Sequence, residues 1–112
     1  MTELTTTFAL LRAHHACKEG YQKLAKHLGG VRAHGQYRAI PLSVILDSND
    51  VADTLWALRA VPPEQVAERD RLARLFACDC ADHVLPIFER EYPDALRPRE
   101  AIAVARRFAL GQ

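Results

Sequence analysis

Apolar residues recur at helical spacing along almost the whole of this chain, and nowhere do they alternate as strands require. Leu4, Phe8 and Leu11 stand at i, i+4 and i+7, and Cys17, Tyr21, Leu24 and Leu28 repeat the pattern. That period places each set on one face of a helix. The interruptions are chemically sharp. Gly29-Gly30 offers the left-handed stop common at helix C-termini, Pro62-Pro63 forces a break, and Pro93-Asp94 reads as a turn. No heptad run, repeat or low-complexity tract competes. The pattern predicts an all-α fold: a compact bundle of about five or six helices, with residues 1–112 forming a single helical domain.

The first helix is expected to follow a Thr2 cap and to end at His14-His15. The second carries the Cys17 stripe on its inner face, with Lys18, Lys23 and Lys26 outside. Gly20 within it costs ~1 kcal/mol relative to alanine, so close packing is expected there. Residues 31–40 read as a loop with at most a short helical turn. Pro41 suits the first position of a short helix, Leu42 to Asp47. Ser48-Asn49-Asp50 is a run of N-capping types and opens a fourth helix. Val51, Leu55 and Leu58 share one face of it, with Trp56 beside them and Arg59 near its C-terminal end.

The longest helix begins at Pro63-Glu64 and runs toward Leu85. Val66, Ala73, Ala77, Cys80 and Val84 are expected to face the core, with Leu72, Leu75 and Phe76 widening that face. Asp70 and Arg74 form an i,i+4 pair. Pro86 is expected to kink the helix, and Ile87 and Phe88 carry the apolar face on to Tyr92. A last helix starts at Pro98, turns Ile102, Ala105 and Phe108-Ala109 inward, and stops at Gly111.

Composition bears on function mainly by exclusion. Fifteen basic and fourteen acidic residues leave a net charge of +1. A general nucleic-acid binder relies on a basic excess to neutralise phosphates, so nucleic acid is disfavoured as a partner. Three cysteines, an odd number in a chain of 112 residues, suit free thiols in a reducing compartment better than a disulfide framework. The first residues lack a basic n-region, and no stretch approaches the ~20 apolar residues of a membrane span. The expected location is cytoplasmic, with no membrane partner.

Three constellations invite chemistry. Cys78, Cys80 and His83 look like a metal cluster, but on a helix the two cysteines diverge by about 200°. Cys80 and His83 would need further ligands, such as Cys17, His14 or His15, to complete a zinc site. The plainer reading is cysteines buried as small apolar residues. Cys17, at a helix start beside His14 and His15, has the makings of an activated thiol, yet it also lies on the core stripe. The two short helices around Ser48-Asn49-Asp50 resemble a helix-turn-helix. The second of them offers Asp50, Asp53 and only Arg59 to a groove that calls for Arg, Lys, Asn or Gln. No phosphate loop, nucleophile elbow or zinc-protease motif is present. The reading is therefore not an enzyme, with no catalytic, metal or cofactor residues and no cofactor. Arginines and exposed aromatics, which concentrate in binding hot spots, single out Tyr37, Arg38, Tyr92, Arg97 and Arg99 as partner-binding candidates, with Arg106 and Arg107 completing the C-terminal arginine set.

The C-terminal third carries a longer signal. Asp79-Cys80-Ala81-Asp82-His83-Val84-Leu85-Pro86-Ile87-Phe88-Glu89, then Tyr92-Pro93-Asp94, then Arg97-Pro98-Arg99-Glu100-Ala101-Ile102 and Ala105-Arg106, resemble a bacterial immunity-protein domain family. The N-terminal half is similar to phage- and mobile-element-associated proteins through Ala16-Cys17, Gly20-Tyr21, Leu28-Gly29-Gly30, Ile40-Pro41-Leu42 and Leu55-Trp56-Ala57-Leu58-Arg59-Ala60. Immunity proteins bind a toxin and block it, and the resemblance brings no catalytic residues. It implies a non-enzymatic protein, monomer or homodimer, that binds and neutralises another protein. That partner is either a toxin or a bacterial defence effector complex, as an anti-CRISPR protein would target. A small DNA-binding regulator and a metal or thiol enzyme built on the Cys and His residues are the alternatives from other classes.

Overall fold

A computed structural model describes residues 3–112. Among them the fold is all-α apart from one two-stranded ribbon. In chain order the elements are β1 (Thr5–Thr6), α1 (Phe8–Ala13), α2 (Lys18–His27), α3 (Val31–His34), β2 (Ile40–Pro41), α4 (Leu42–Ser48), α5 (Val51–Ala57), 3₁₀ turns at Leu58–Ala60 and Pro63–Gln65, α6 (Val66–Glu91) and α7 (Arg97–Ala109). The chain divides into two compact units, Met1–Val66 and Ala67–Gln112.

The first unit is built around Phe8, Leu11, Leu24, Ile40, Leu42, Ile45, Ala57, Ala60 and Val61. Phe8 is completely buried, its ring edge-on to Tyr21 at 5.3 Å and to His34 at 5.7 Å. The expected capping Thr2 lies outside the described residues. The first helix starts later than its period suggests, because Thr5–Thr6 pairs antiparallel with Ile40–Pro41. Thr7 then caps α1, its side chain accepting from the Leu10 N–H. Pro41 accordingly stands in the ribbon as the residue before α4, one place earlier than expected.

Polar side chains tie this short ribbon down. The Gln65 side chain accepts from the Thr5 N–H at 2.8 Å and donates to the Thr5 hydroxyl at 3.1 Å. The fully buried Thr6 donates its hydroxyl to the Ala60 carbonyl at 2.7 Å. A two-residue pairing is far too short to persist unaided. Gln65 acts as a third edge, satisfying a backbone donor that would otherwise be buried unpaired.

Helix ends are finished as the residue types predict. Gly29, at φ 84°, lets the Gly30 N–H reach the Ala25 carbonyl at 2.7 Å, closing a Schellman stop on α2. The same motif closes α1, with the Ala16 N–H on the Leu11 carbonyl at 2.9 Å. There the left-handed residue is His15, at φ 62°. Asp50 caps α5 through the Asp53 N–H at 2.7 Å. Arg59 donates to the Trp56 carbonyl and lies over its ring at 4.6 Å.

Several inward assignments need correction. Cys17 is exposed and caps α2, its sulfur accepting from the Gly20 N–H at 3.4 Å; the stripe position it holds falls one residue ahead of the helix. On α5, Val51 and Leu55 face solvent, and Ala57 enters the core with Ala60 after it. A helix of seven residues buries only the small side chains that let it approach α4 closely.

The second unit is an antiparallel hairpin of α6 and α7. Pro86 lies within α6, which runs unbroken from Val66 to Glu91. Cys78, Leu85 and Ala109 are its buried apolar residues. The face of α6 expected to enter the core does so only in part: Leu72, Ala73 and Leu75 are half-buried, whereas Val66, Phe76, Ala77, Cys80 and Val84 are exposed. On α7, Ile102 is half-buried and Ala109 buried as expected, whereas Ala105 and Phe108 are exposed. Asp70 pairs with Arg69, and Arg74 lies over the Phe108 ring at 5.0 Å, in place of an Asp70–Arg74 pair.

Two substitutions test this account of the first unit. Gln65→Ala leaves the Thr5 N–H without its partner and is expected to lower stability by about 1–3 kcal/mol, read as a fall in the urea midpoint. His15→Gly removes a left-handed non-glycine residue and is expected to raise stability by up to about 1 kcal/mol. Loss of stability in His15→Gly would contradict the strained-turn assignment.

Candidate partner-binding surface

The exposed stripe of α6 follows from helix geometry and from where α7 finds its charges. At about 100° per residue, Phe76, Cys80, Val84 and Ile87 fall within about 80° of one another. Cys78 and Leu85 lie about 180–200° from Phe76 on the same count. Asp82 and Glu89 sit on the Leu85 side, and α7 brings arginines to them. Arg106 reaches Asp82 at 2.6 Å and Asp79 at 2.9 Å. Arg99 grips Glu89 through two bonds, at 2.8 and 2.5 Å. The Cys78 thiol points at the Ile102 carbonyl, 3.9 Å away. These contacts hold α7 on one side of α6 and leave the apolar stripe on the other.

The uncovered stripe carries large apolar residues along the helix, with the exposed His83 among them. Ile87 is 63% exposed, and Phe76 and Val84 are each more than half exposed. Phe88 packs on Tyr92 at 5.0 Å between ring centres and extends the patch to the end of the helix. On α7 the second exposed set is Leu96, Val104, Phe108 and Leu110. Arg97, Glu100, Val104 and Phe108 border a shallow groove with Arg74 of α6. Isolated exposed apolar residues are ordinary, whereas several along one helix make this face the candidate interaction surface.

The residues singled out from sequence distribute unevenly. Tyr92 is exposed at the end of the α6 patch, and Arg97 opens α7 at the groove. Arg99 is already engaged by Glu89, which its hydrogen bonds hold below the ordinary carboxylate range; Glu68 is lowered in the same way by Arg71. Arg99 and Arg106 are correspondingly raised by their carboxylates. Tyr37 and Arg38 lie together on an exposed turn of the first unit, after Gly35. Phe76, Val84 and Ile87 were absent from the sequence candidates, although their spacing was plain. Taking an apolar stripe for core hid them.

Among the described residues no three His, Cys, Asp or Glu side chains cluster as a metal site would require. Cys78 is buried while Cys80 is exposed, as their divergence on one helix dictates; of the three thiols only Cys78 is packed. No helix of the described residues is long and apolar enough to cross a membrane.

Residues 65–112 match the family model of the Imm-5 like putative immunity protein. The match covers the whole second unit and begins two residues ahead of it, so a sequence unit and a structural unit coincide. It bears out the immunity-domain resemblance of the C-terminal third. Neither the curated proteins nor the solved structures provide a match to this chain.

Acid should weaken the hairpin through these pairs. A carboxylate lowered in the folded state contributes stability above its ordinary range and loses it as pH falls through that range and below. The urea midpoint is expected to fall with acidification, and less steeply in Glu89→Gln. Identical pH slopes in the two proteins would mean that the Arg99 pair is not coupled to folding.

Proposed function

We propose that this protein is an immunity-type, non-enzymatic inhibitor that binds and neutralises another protein, using the exposed α6 stripe as its principal contact. One observation carries the reading. The segment matching the immunity-protein family is also the segment that leaves Phe76, Val84, Ile87 and Phe88 uncovered. A hairpin with so few buried side chains has little core of its own, and covering the stripe would bury apolar area at about 25 cal/mol per Å². Tyr92 and Arg97 flank the patch and would serve as rim contacts; Tyr37 and Arg38 would form a separate contact on the first unit. Arg99 would act by holding α7 in place through Glu89 rather than by touching the partner.

The partner of first choice is a toxin; a bacterial defence effector complex of the kind anti-CRISPR proteins block is the other form of the same task. Acting in the cytoplasm on either target requires no cofactor.

The test is rescue. The chain is co-expressed with each toxin of a panel that immunity proteins neutralise, and growth is followed for wild type, Ile87→Asp and Arg97→Ala. Wild type is expected to restore growth against one of them. Ile87→Asp, at a solvent position, should stay folded by circular dichroism yet weaken binding by about thirtyfold or more, as loss of a hot spot does. Arg97→Ala should cost several-fold less. Rescue by Ile87→Asp as strong as wild type would remove the α6 stripe from the mechanism, and failure of wild type to rescue against all of them would remove the toxin.

A further inference from the structure

The first unit holds a cavity of about 100 Å³ that the protein-binding reading does not use. Its walls are apolar: Leu11, Tyr21, Leu24, Ile45 and Trp56 contribute most of them. One acidic side chain lines it, the half-buried Asp53. Asp53 accepts from the Asn49 side-chain amide at 2.9 Å, and Asn49 in turn donates to the Gly20 carbonyl at 2.9 Å. No ion pair involves Asp53 among the described residues, although five aspartates and glutamates of the second unit have arginine partners.

A carboxylate withdrawn from water beside an apolar wall is costly unless a cation meets it. The protein supplies one amide donor, Asn49, and the partly positive first turn of α5, which hold the carboxylate in place, but no cationic side chain in ion-pair reach among the described residues. Gly20 keeps the space open. A Cβ at that position would stand 3.0 Å from the Asp53 carboxylate and 3.1 Å from the Cys17 sulfur. The helix thus carries its least favourable ordinary residue at the point where a methyl group would crowd the acid. A cavity of this size accepts a branched four- or five-carbon group or part of a ring.

From these features we infer that the cavity is a binding site for a small organic ammonium, its alkyl body among Leu24, Ile45 and Trp56 and its nitrogen on Asp53. The site is independent of the α6 stripe. Trp56 is the chain's single tryptophan, so its emission and its indole N–H resonance report on this wall alone. Cys17 also lines the cavity and is exposed, while the equally exposed Cys80 lies elsewhere on α6.

The experiment titrates the full chain with 3-methylbutylammonium, with its neutral isostere 3-methylbutan-1-ol and with 3-methylbutanoate. The ammonium is expected to shift the Trp56 signals saturably at about millimolar concentration and to slow alkylation of Cys17 without slowing that of Cys80. The alcohol should bind about tenfold more weakly, the scale of a lost charged hydrogen bond, and the carboxylate more weakly still. Asp53→Asn, whose amide oxygen can still accept from Asn49, should erase the preference for the ammonium over the alcohol. Gly20→Ala, checked for folding by circular dichroism, should bind the ammonium several-fold more weakly. An unchanged Trp56 signal at tens of millimolar ammonium would overturn the proposal, as would equal binding of ammonium and alcohol by the wild type or an undiminished preference in Asp53→Asn.

Discussion

Arg106 bridging Asp79 and Asp82 decides what the C-terminal hairpin shows to water. A helix such as α6, rich in small and apolar residues on more than one side, has no single compulsory inner face. Asp82 and Glu89 sit on the side of Leu85, and the arginines of α7 meet them by docking there. Such surface pairs add little stability individually. Their effect is one of orientation: a wrong docking would leave Glu89 and Asp82 without partners and bury the stripe instead. The exposed row from Phe76 to Ile87 is therefore a consequence of charge placement on the other side of the same helix.

The first unit solves a different problem. Its helices are short, four to ten residues, too short to be stable on propensity alone. Stability has to come from packing around Phe8 and from side chains that finish the backbone. Gln65, Thr6, Thr7, Asp50 and Asn49 each close a backbone donor or acceptor that a short element leaves open. Such finishing is specific to position, and it makes the unit rigid enough to keep a small cavity open next to Gly20.

How far this was legible from sequence follows from the same division. The helical class, the Gly29-Gly30 stop, the Asp50 cap, the break at Pro62-Pro63 and the close packing at Gly20 depend on local chemistry, and local chemistry is written in adjacent residues. The Thr5–Thr6 pairing with Ile40–Pro41 was not legible, since two residues show no alternation and their partner lies 35 positions away. Cys17 looked like core because a capping residue extends the helical period by one place. The α6 stripe is plain in the sequence, yet its Phe76, Cys80 and Val84 face water while Leu72 and Leu75 are half-buried, because periodicity measures segregation of apolar residues and says nothing of what covers them.

The exposed stripe has a physical meaning for the proposed inhibitor role. A protein that blocks another must keep an apolar face ready in the free state, since a face formed only on binding would subtract its ordering cost from affinity. A continuous helix is the cheapest way to hold such a face rigid. In α6 the same 26 residues present the stripe on one side and the acids that seat α7 on the other, so the docking that builds the hairpin also fixes the direction in which the stripe points. A helix with such an exposed face looks, residue by residue, like one written for a core, and the charge pattern on the opposite face tells the two apart.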